Sequence, residues 1–302
     1  MNIERAEIDG KPVSRIVRLR HERIQLHTPA NITVLPRGKH LITIGYNVEE
    51  SLAAKSNWGT PGFYHPKEIG SINGVNITHN YVWTQGEEYG ARHYVPCFDD
   101  PDKKAKWKVK ISHPPEYTAL SNGKSLEKPF YGDLSTSLAV TEFEATPPMS
   151  SYLLTFAVSK HKRVTLLTKD GYQLSVYAIN MTKAEEELVL LKECFEYLNS
   201  VLQPKYPLSK IDVFLRSPGG WAMENWGLIT ADYMLKHIMQ HELAHQWFGN
   251  LVTTRTWSHY WLNEGFATWW ENQREDTPVS FVTFSTKFWM EILVIKLSQL
   301  SR

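Results

Sequence analysis

The chain has 302 residues, enough for two domains that bury most of their apolar surface. Its 42% hydrophobic and 22% charged residues are typical of a soluble globular protein. A formal net charge of +1 excludes a global field that would draw the chain to nucleic acid or acidic lipid. Two cysteines, Cys97 and Cys194, are too few for a disulfide framework.

The first half of the chain predicts short strands, which Gly and Pro separate. The candidate segments are rich in β-branched or aromatic residues and lie at residues 32–35, 40–44, 107–111 and 152–158. Two more strands are expected near Val164 and Tyr172. This pattern predicts a mostly antiparallel β domain.

From Thr182 onward the apolar residues recur with a helical period. Thr182 and Glu185 are spaced as a capping box, and Pro204 ends the pattern. A single apolar stripe, which we interpret as core packing, consists of Leu188, Leu191, Phe195, Leu198 and Leu202.

Two further helices are predicted in this second half. One covers about residues 233–248 and closes with Gly249 and Asn250, and the next starts near Asn263. The change of period places a domain border near residue 160. We therefore predict an α+β protein with domains at 1–159 and 160–302.

A zinc site is predicted by the sequence His-Glu-Leu-Ala-His at residues 241–245. The spacing stacks His241 and His245 one turn apart, so both can bind one ion. Glu242 is rotated about 100° from His241, too far to join as a ligand, but it can reach a water on the metal as general base. Glu264, 19 residues after His245, is the predicted third ligand, which leaves the fourth position for water.

Two histidines on a helix can also be plain structural residues. A bare H-E-x-x-H arises by chance in roughly a few per cent of chains with this histidine content. The flanking sequence favours zinc, because residues 262–267 (Leu-Asn-Glu-Gly-Phe-Ala) place the third ligand at a spacing that a zinc site can use. A dry wall around the site is expected from Trp247, Phe248, Trp257, Trp261, Trp269 and Trp270.

Three motifs in the same order resemble the gluzincin aminopeptidases, the family of aminopeptidase N, puromycin-sensitive aminopeptidase and leukotriene hydrolase. The zinc motif continues as Gln-Trp-Phe-Gly-Asn-Leu-Val-Thr at residues 246–253. The family's Gly-Ala-Met-Glu-Asn appears as Ala-Met-Glu-Asn at residues 222–225. The third motif is Thr-Gln-Gly-Glu at 84–87, with Pro-Cys-Phe-Asp-Asp-Pro at 96–101. The resemblance covers nearly all of the chain before Glu271.

The resemblance implies a substrate-binding set of Gln85, Glu87, Ala222, Met223, Glu224 and Asn225. Glu87 and Glu224 would bind the free α-ammonium group of a peptide. Gln85 and Met223 would line the pocket for its first side chain, and the backbone around Ala222 would hold its main chain. A carboxylate pair at a fixed distance from the metal acts as a ruler that places the first amide bond over the zinc. Glu271 would orient a histidine ligand.

The chain departs from the family in four places. Trp221 stands where the family has Gly, and only 16 residues separate Glu224 from His241, about half the usual number. The similarity ends after about Gln273. The family's catalytic tyrosine, which donates to the oxyanion, lies beyond Glu264 at a position that this chain does not reach. We therefore expect a fragment or shortened isoform that is truncated at both ends, within the β domain and within the catalytic domain.

The predicted function is that of a zinc metalloaminopeptidase, in which Glu242 activates a zinc-bound water to remove N-terminal residues from peptides. Its expected cofactor is one Zn²⁺ ion, and its expected partners are peptides with a free N-terminus, not nucleic acid. The alternative is a catalytically impaired or non-catalytic zinc protein that binds peptides. An epoxide-opening hydrolase is less favoured, since residues 222–226 are closer to the plain aminopeptidases. The preferred residue and the oligomeric state stay open.

The location follows from weaker signals. Asn-x-Ser/Thr sequons occur at Asn31, Asn76 and Asn180. The N-terminus lacks the apolar stretch of a signal peptide, and no segment reaches the ~18 apolar residues that span a bilayer. Together with the family resemblance, the sequons favour a plasma-membrane or extracellular ectodomain, with a cytoplasmic location as the alternative.

Overall fold

The computed structural model describes residues 1–20, 22–49, 62–65, 67–72, 75–126, 130–133, 137–216, 222–232, 234–271 and 273. Strands dominate the first part of the chain. They are β1 (Asn2–Ile8), β2 (Lys11–Arg18), β3 (Ile24–Pro29), β4 (Ile42–Asn47), β5 (Gly62–Tyr64), β6 (Lys67–Ile72), β7 (Val75–Asn80), β8 (Val82–Gln85), β9 (Lys110–His113), β10 (Thr118–Ser121), β11 (Phe130–Asp133), β12 (Leu138–Glu142) and β13 (Phe156–Ser159).

These strands pair antiparallel throughout. One four-stranded sheet has the order β3-β2-β1-β4, and another has the order β10-β13-β8-β5. A three-stranded sheet, β11-β12-β9, and the hairpin β6-β7 complete this part. The predicted antiparallel β region is therefore confirmed.

The second part combines one sheet with three helices. The strands are β14 (Lys162–Leu167), β15 (Gln173–Ala178), β16 (Lys210–Leu215), β17 (Ala222–Met223) and β18 (Leu228–Ala231). The helices are α1 (Met181–Val201), α2 (Lys236–His245) and α3 (Tyr260–Glu271). The α+β class is confirmed. The division at residues 159 and 160 stays a prediction.

The five-stranded sheet of this part has the order β14-β15-β16-β18-β17. The central strand β16 runs parallel to both neighbours, and all its residues are buried, as expected of a strand that is covered on both faces. The outer strands β14 and β17 are antiparallel to their partners. Helix α1 packs on β14, β15 and α2, and α2 packs against α3. The sheet thereby supports the helix that carries the two predicted histidine ligands.

Several predicted boundaries are wrong for local reasons. No strand forms at residues 32–35, because Asn31 adopts a φ of +70° and the amide of Ile32 bonds back to Pro29. Residues 151–153 form a 3₁₀ turn, so the predicted strand there starts only at Phe156. The N-cap of α1 is Asn180 and not the predicted Thr182. The Asn180 side chain accepts a hydrogen bond of 3.1 Å from the backbone amide of Lys183.

The zinc-motif helix is shorter than the predicted range of residues 233–248. Helix α2 ends at His245, where the amide of Gln246 turns back to the carbonyl of Leu243 at 3.1 Å. The chain then makes a compact turn in which Gly249 has a φ of +114°. We call residues 245–250 the post-helix turn.

Candidate active site

Two helices position the predicted metal ligands. His241 and His245 lie one turn apart on α2, and Glu264 lies on α3, which packs against α2. His245 is almost fully buried, whereas the side chains of His241 and Glu264 are 17% and 18% exposed. The three residues therefore form a mostly buried group that is still partly accessible to solvent.

The ligand atoms of this trio are spaced as in a tetrahedral zinc site. Nε2 of His241 lies 3.0 Å from Nε2 of His245 and 3.3 Å from a carboxylate oxygen of Glu264. The other oxygen of Glu264 is 3.4 Å from Nε2 of His245. Ligands of a tetrahedral ion with bonds of ~2.05 Å are separated by about 3.3 Å. The trio thus matches zinc in both donor type and spacing.

Hydrogen bonds on the far side of each ring fix which nitrogen carries a proton. Nδ1 of His241 lies 2.8 Å from the Glu271 carboxylate, and Nδ1 of His245 lies 3.0 Å from the Phe248 carbonyl. Both partners are acceptors, so both Nδ1 atoms donate. The two Nε2 atoms are then left with lone pairs that face each other and Glu264. This set of acceptors is satisfied either by protons, which the raised pKa values of both rings favour in the metal-free protein, or by a metal ion that replaces them.

The pKa shifts also indicate that this cluster attracts positive charge. Burial lowers the pKa of His245, but the carboxylates of Glu264 and Glu224 outweigh it and raise the value to about 9. Burial is likewise outweighed at His241, whose pKa lies well above its usual value because of Glu264 and Glu271. Burial would raise the pKa of Glu264, yet the two imidazoles bring it far below its usual value.

Glu242 has the environment expected of a general base. It is 6% exposed, and its Oε2 has no hydrogen-bond partner among the described residues. Burial raises the pKa of its carboxyl group to about 7. A carboxylate with a pKa near neutral can accept a proton and release it again within one reaction cycle.

A second acidic cluster adjoins the trio. Carboxylate oxygens of Glu87, Glu224 and Glu264 all lie within 4.8 Å of one another. Glu87 follows β8, and Glu224 follows β17, so two different sheets supply these groups. Burial and the neighbouring charge of Glu224 raise the pKa of Glu87 well above its usual value, and burial also raises that of Glu224. Such a pocket favours a cationic ligand.

The other predicted substrate residues differ in their burial and in their contacts. Nε2 of Gln85 is 3.4 Å from the sulfur of Met223, and both side chains are buried. Ala222 is on the edge strand β17, half-buried. Asn225 is fully buried, and its amide contacts Thr230 Oγ1 at 3.5 Å. Binding roles for these four residues stay predictions.

Two tyrosines near the acidic cluster were not predicted as site residues. Burial raises the pKa of Tyr260 well above its usual value, and the nearby charges of Glu264 and Glu87 raise it further. Tyr152 donates to the Gly249 carbonyl at 3.3 Å, and its pKa is raised by burial and by the charges of Glu224 and Glu87. Only for Tyr260 did the sequence offer a signal, its position one helical turn before Glu264.

Part of the predicted surroundings is described and part is not. Trp247 and Trp257 are buried, and the Trp257 ring packs edge-on against Tyr152 at 4.8 Å. Trp221, which replaces the family glycine, lies outside the described residues. The segment between Glu224 and His241 is described except for Tyr233, and it carries β18 and the start of α2.

A helix that presents two histidines one turn apart, with a carboxylate from the following helix, is the arrangement of a metallopeptidase centre. The sequence-family model for the Peptidase M1 N-terminal domain matches residues 2–153, and the sequence-family model for the Peptidase family M1 domain matches residues 186–299. The chain belongs to peptidase family M1, and the predicted resemblance is confirmed.

Individual relatives are aminopeptidases. Glutamyl aminopeptidase of Sus scrofa is 35% identical over 247 residues, which cover 75% of this chain and 25% of that protein. Aminopeptidase N of Bos taurus is 35% identical over 250 residues, with the same shares. Aminopeptidase M1-A of Oryza sativa subsp. japonica is 35% identical over 280 residues, 81% of this chain and 30% of that protein. The chain therefore spans between 25% and 30% of the length of these curated relatives.

The location is not decided by the fold. Among the described residues, no helix has the length and apolar character needed to cross a bilayer. The plasma-membrane or extracellular location that the sequons favour stays a prediction.

Proposed function

We propose that this chain forms the zinc-binding part of a metalloaminopeptidase that removes N-terminal residues from peptides. The observation that carries the proposal is the convergence of three acceptors, Nε2 of His241, Nε2 of His245 and the Glu264 carboxylate, at the spacing of zinc ligands. Zinc bound there would supply a Lewis acid that polarises the scissile carbonyl and lowers the pKa of a water.

Glu242 performs the proton transfers of the proposed reaction. Its carboxylate accepts the proton of the attacking water and then gives it to the nitrogen of the leaving amine. A pKa of about 7 suits both steps, because neither protonation state is strongly disfavoured at neutral pH. The buried surroundings of Glu242 strengthen its charge interactions with the reacting atoms.

Glu87 and Glu224 give the proposed enzyme its requirement for a free N-terminus. Both carboxylates are buried, and their raised pKa values mean that the free protein stabilises their negative charge poorly. An α-ammonium group placed between them supplies the missing positive charge. Glu264 belongs to both clusters, so an ammonium group held there lies next to the metal ligands. Gln85, Ala222, Met223 and Asn225 complete the proposed substrate set.

Zinc binding is the first test. The purified chain should hold one zinc ion per molecule after dialysis against a weak chelator. Glu264→Ala should lose tight binding, because two imidazoles alone hold zinc far more weakly than a three-residue set. Glu185→Ala, on the exposed face of α1, is the matched control and should keep its zinc. Stoichiometric zinc in Glu264→Ala would reject the ligand assignment.

The second test compares an alanyl-aminocoumarin reporter with its N-acetylated form. We expect hydrolysis of the free amine only, a loss of roughly 10- to 100-fold in Glu224→Gln, and no turnover in Glu242→Gln despite retained zinc. Equal cleavage of the acetylated reporter would contradict an exopeptidase. Binding of zinc and peptide without turnover would support the non-catalytic alternative.

A further inference from the structure

We propose that Gln246 and Asn250 are positioning residues that hold Glu224 at a fixed distance from the zinc ligands. We call this pair the amide brace. The inference rests on the proposed function, since it concerns how the ammonium-binding carboxylate is placed. It assigns a role to two residues of the post-helix turn that belong neither to the proposed metal ligands nor to the proposed substrate set.

Both side chains donate to one backbone atom. Nε2 of Gln246 lies 2.8 Å from the carbonyl oxygen of Glu224, and Nδ2 of Asn250 lies 2.9 Å from the same oxygen. A carbonyl oxygen has two lone pairs, so the brace saturates it. Both amides are fully buried, which removes competition from solvent and makes each bond costly to break.

Gln246 is itself held from several sides. Its Oε1 accepts the amide of Gly227 at 3.1 Å and the hydroxyl of Tyr206 at 3.4 Å. Its Nε2 also lies 3.3 Å from the carbonyl of Glu242. Gln246 therefore links the loop after β17, the zinc-motif helix and the loop between α1 and β16 through one planar group. A side chain with this many partners has no alternative rotamer of equal energy.

The brace matters because of where Glu224 lies. It follows β17, a two-residue strand whose one pairing within the described part of the chain is with β18. The brace ties the backbone after this short strand to the post-helix turn. In that turn the Asn250 amide bonds to the His245 carbonyl at 3.1 Å, and the Phe248 carbonyl orients the His245 ring. The post-helix turn thus fixes both the orientation of the His245 ring and the position of the Glu224 backbone.

The consequence is a ruler with a fixed length. A misplacement of about 1 Å costs on the order of 100-fold in a reaction that depends on alignment. The brace would therefore act on ligands that carry an amine and not on ligands that lack one. A purely structural role would weaken both kinds of ligand equally.

Asn250→Leu is the most selective variant. The substitution keeps the side-chain size and removes the donor to Glu224, while Oδ1 of Asn250 has no hydrogen-bond partner among the described residues to lose. Gln246→Glu is the second variant: it keeps an acceptor for Gly227 but places an oxygen against the Glu224 carbonyl. Thr253→Val is the control, because it removes the hydroxyl that lies 2.7 Å from the Gly249 carbonyl and 3.1 Å from the Asn250 carbonyl, and it leaves both side-chain donors to Glu224 in place.

The experiment is calorimetric titration of the zinc-loaded chain with alaninamide and with propionamide, which lacks the amine. The parent should bind alaninamide more tightly. Both brace variants should keep their zinc and lose about tenfold of this preference, and Thr253→Val should keep it. An unchanged preference in a zinc-loaded brace variant, or equal weakening of both ligands, would overturn the proposal.

Glu224→Gln separates this inference from the function on which it rests. If Glu224→Gln abolishes the preference and neither brace variant changes it, only the brace is wrong. If the parent shows no preference, or Glu224→Gln leaves it intact, the ammonium ruler is wrong and the brace falls with it. Should Asn250→Leu fail to fold, Gln246→Glu decides between these outcomes.

Discussion

The outer nitrogens of the two histidines have different partners, although the rings lie one turn apart. Nδ1 of His241 donates to the Glu271 carboxylate at 2.8 Å, whereas Nδ1 of His245 donates to the neutral Phe248 carbonyl at 3.0 Å. A charged acceptor makes the opposite nitrogen a stronger donor to a metal than a neutral acceptor does. His241 therefore depends on a side chain that can be replaced without touching the backbone.

Glu271→Gln tests this dependence. The amide oxygen can still accept from Nδ1, but the negative charge is lost, so we expect zinc affinity to fall by about 10- to 100-fold. Competition with a fluorescent zinc chelator measures the change, and Glu185→Gln on α1 is the control. A zinc affinity equal to that of the parent would mean that the Glu271 charge does not affect how His241 binds the metal.

At the scale of elements, α1 packs against the five-stranded sheet and against the zinc-motif helix α2. Its apolar stripe faces the sheet: Leu191 and Leu198 are fully buried, and Phe195 is 1% exposed. Val189, on the opposite face of the same helix, is 59% exposed. The predicted core role of the stripe is confirmed by this burial. The helix contributes packing, and none of the proposed ligands lies on it.

Leu191→Ala and Val189→Ala form a matched pair on α1. Removing the buried leucine should lower the free energy of unfolding by about 2–5 kcal/mol, because a cavity remains where the side chain was. The exposed valine should change it by roughly 0.5 kcal/mol or less. Urea denaturation measures both variants. Equal losses at the two positions would contradict the packing of α1 on the sheet.

At the scale of the whole molecule, a buried lysine connects the two parts of the chain. Nζ of Lys210, on β16, bonds to Asp212 at 2.7 Å and to the Ser121 carbonyl of β10 at 2.7 Å. It also donates to the Gly227 carbonyl at 2.8 Å, just before β18. Burial lowers the pKa of Lys210, while the charge of Asp212 opposes that shift. The sheet of the β region is thereby joined to the sheet beneath the zinc helix.

Lys210→Met should destabilise the fold by about 3–5 kcal/mol, because it leaves the buried Asp212 without its counter-charge. In the double variant with Asp212→Asn, much of this loss should be recovered, since no charge is then left unpaired. Thermal and urea unfolding of the two single variants and the double variant measure the coupling. Additive effects would show that the pair does not act as a unit.

The sequence by itself determined the features that depend on local spacing. The spacing of four positions from His241 to His245 places both rings on one face of any α-helix. The apolar period after residue 181 likewise predicted α1, and the three motifs predicted the family. Helix ends were harder, because capping by Asn180 and the return of Gln246 to Leu243 depend on single hydrogen bonds that several neighbouring residues could also make.

Only the tertiary structure decided which distant groups meet. Glu87, Glu224 and Glu264 come from two sheets and a helix, and no local period relates them. For Glu87 and Glu224 the family resemblance implied a shared role, but their approach to Glu264 depends on how the sheets pack against α2 and α3. The amide brace was not predicted. The turn after α2 decides where its two donors lie, and its acceptor is a backbone atom. Side-chain identity predicts contacts with nearby backbone, such as helix caps, but it carries no signal for a contact with the backbone of a distant segment. Such contacts emerge only when the chain is folded.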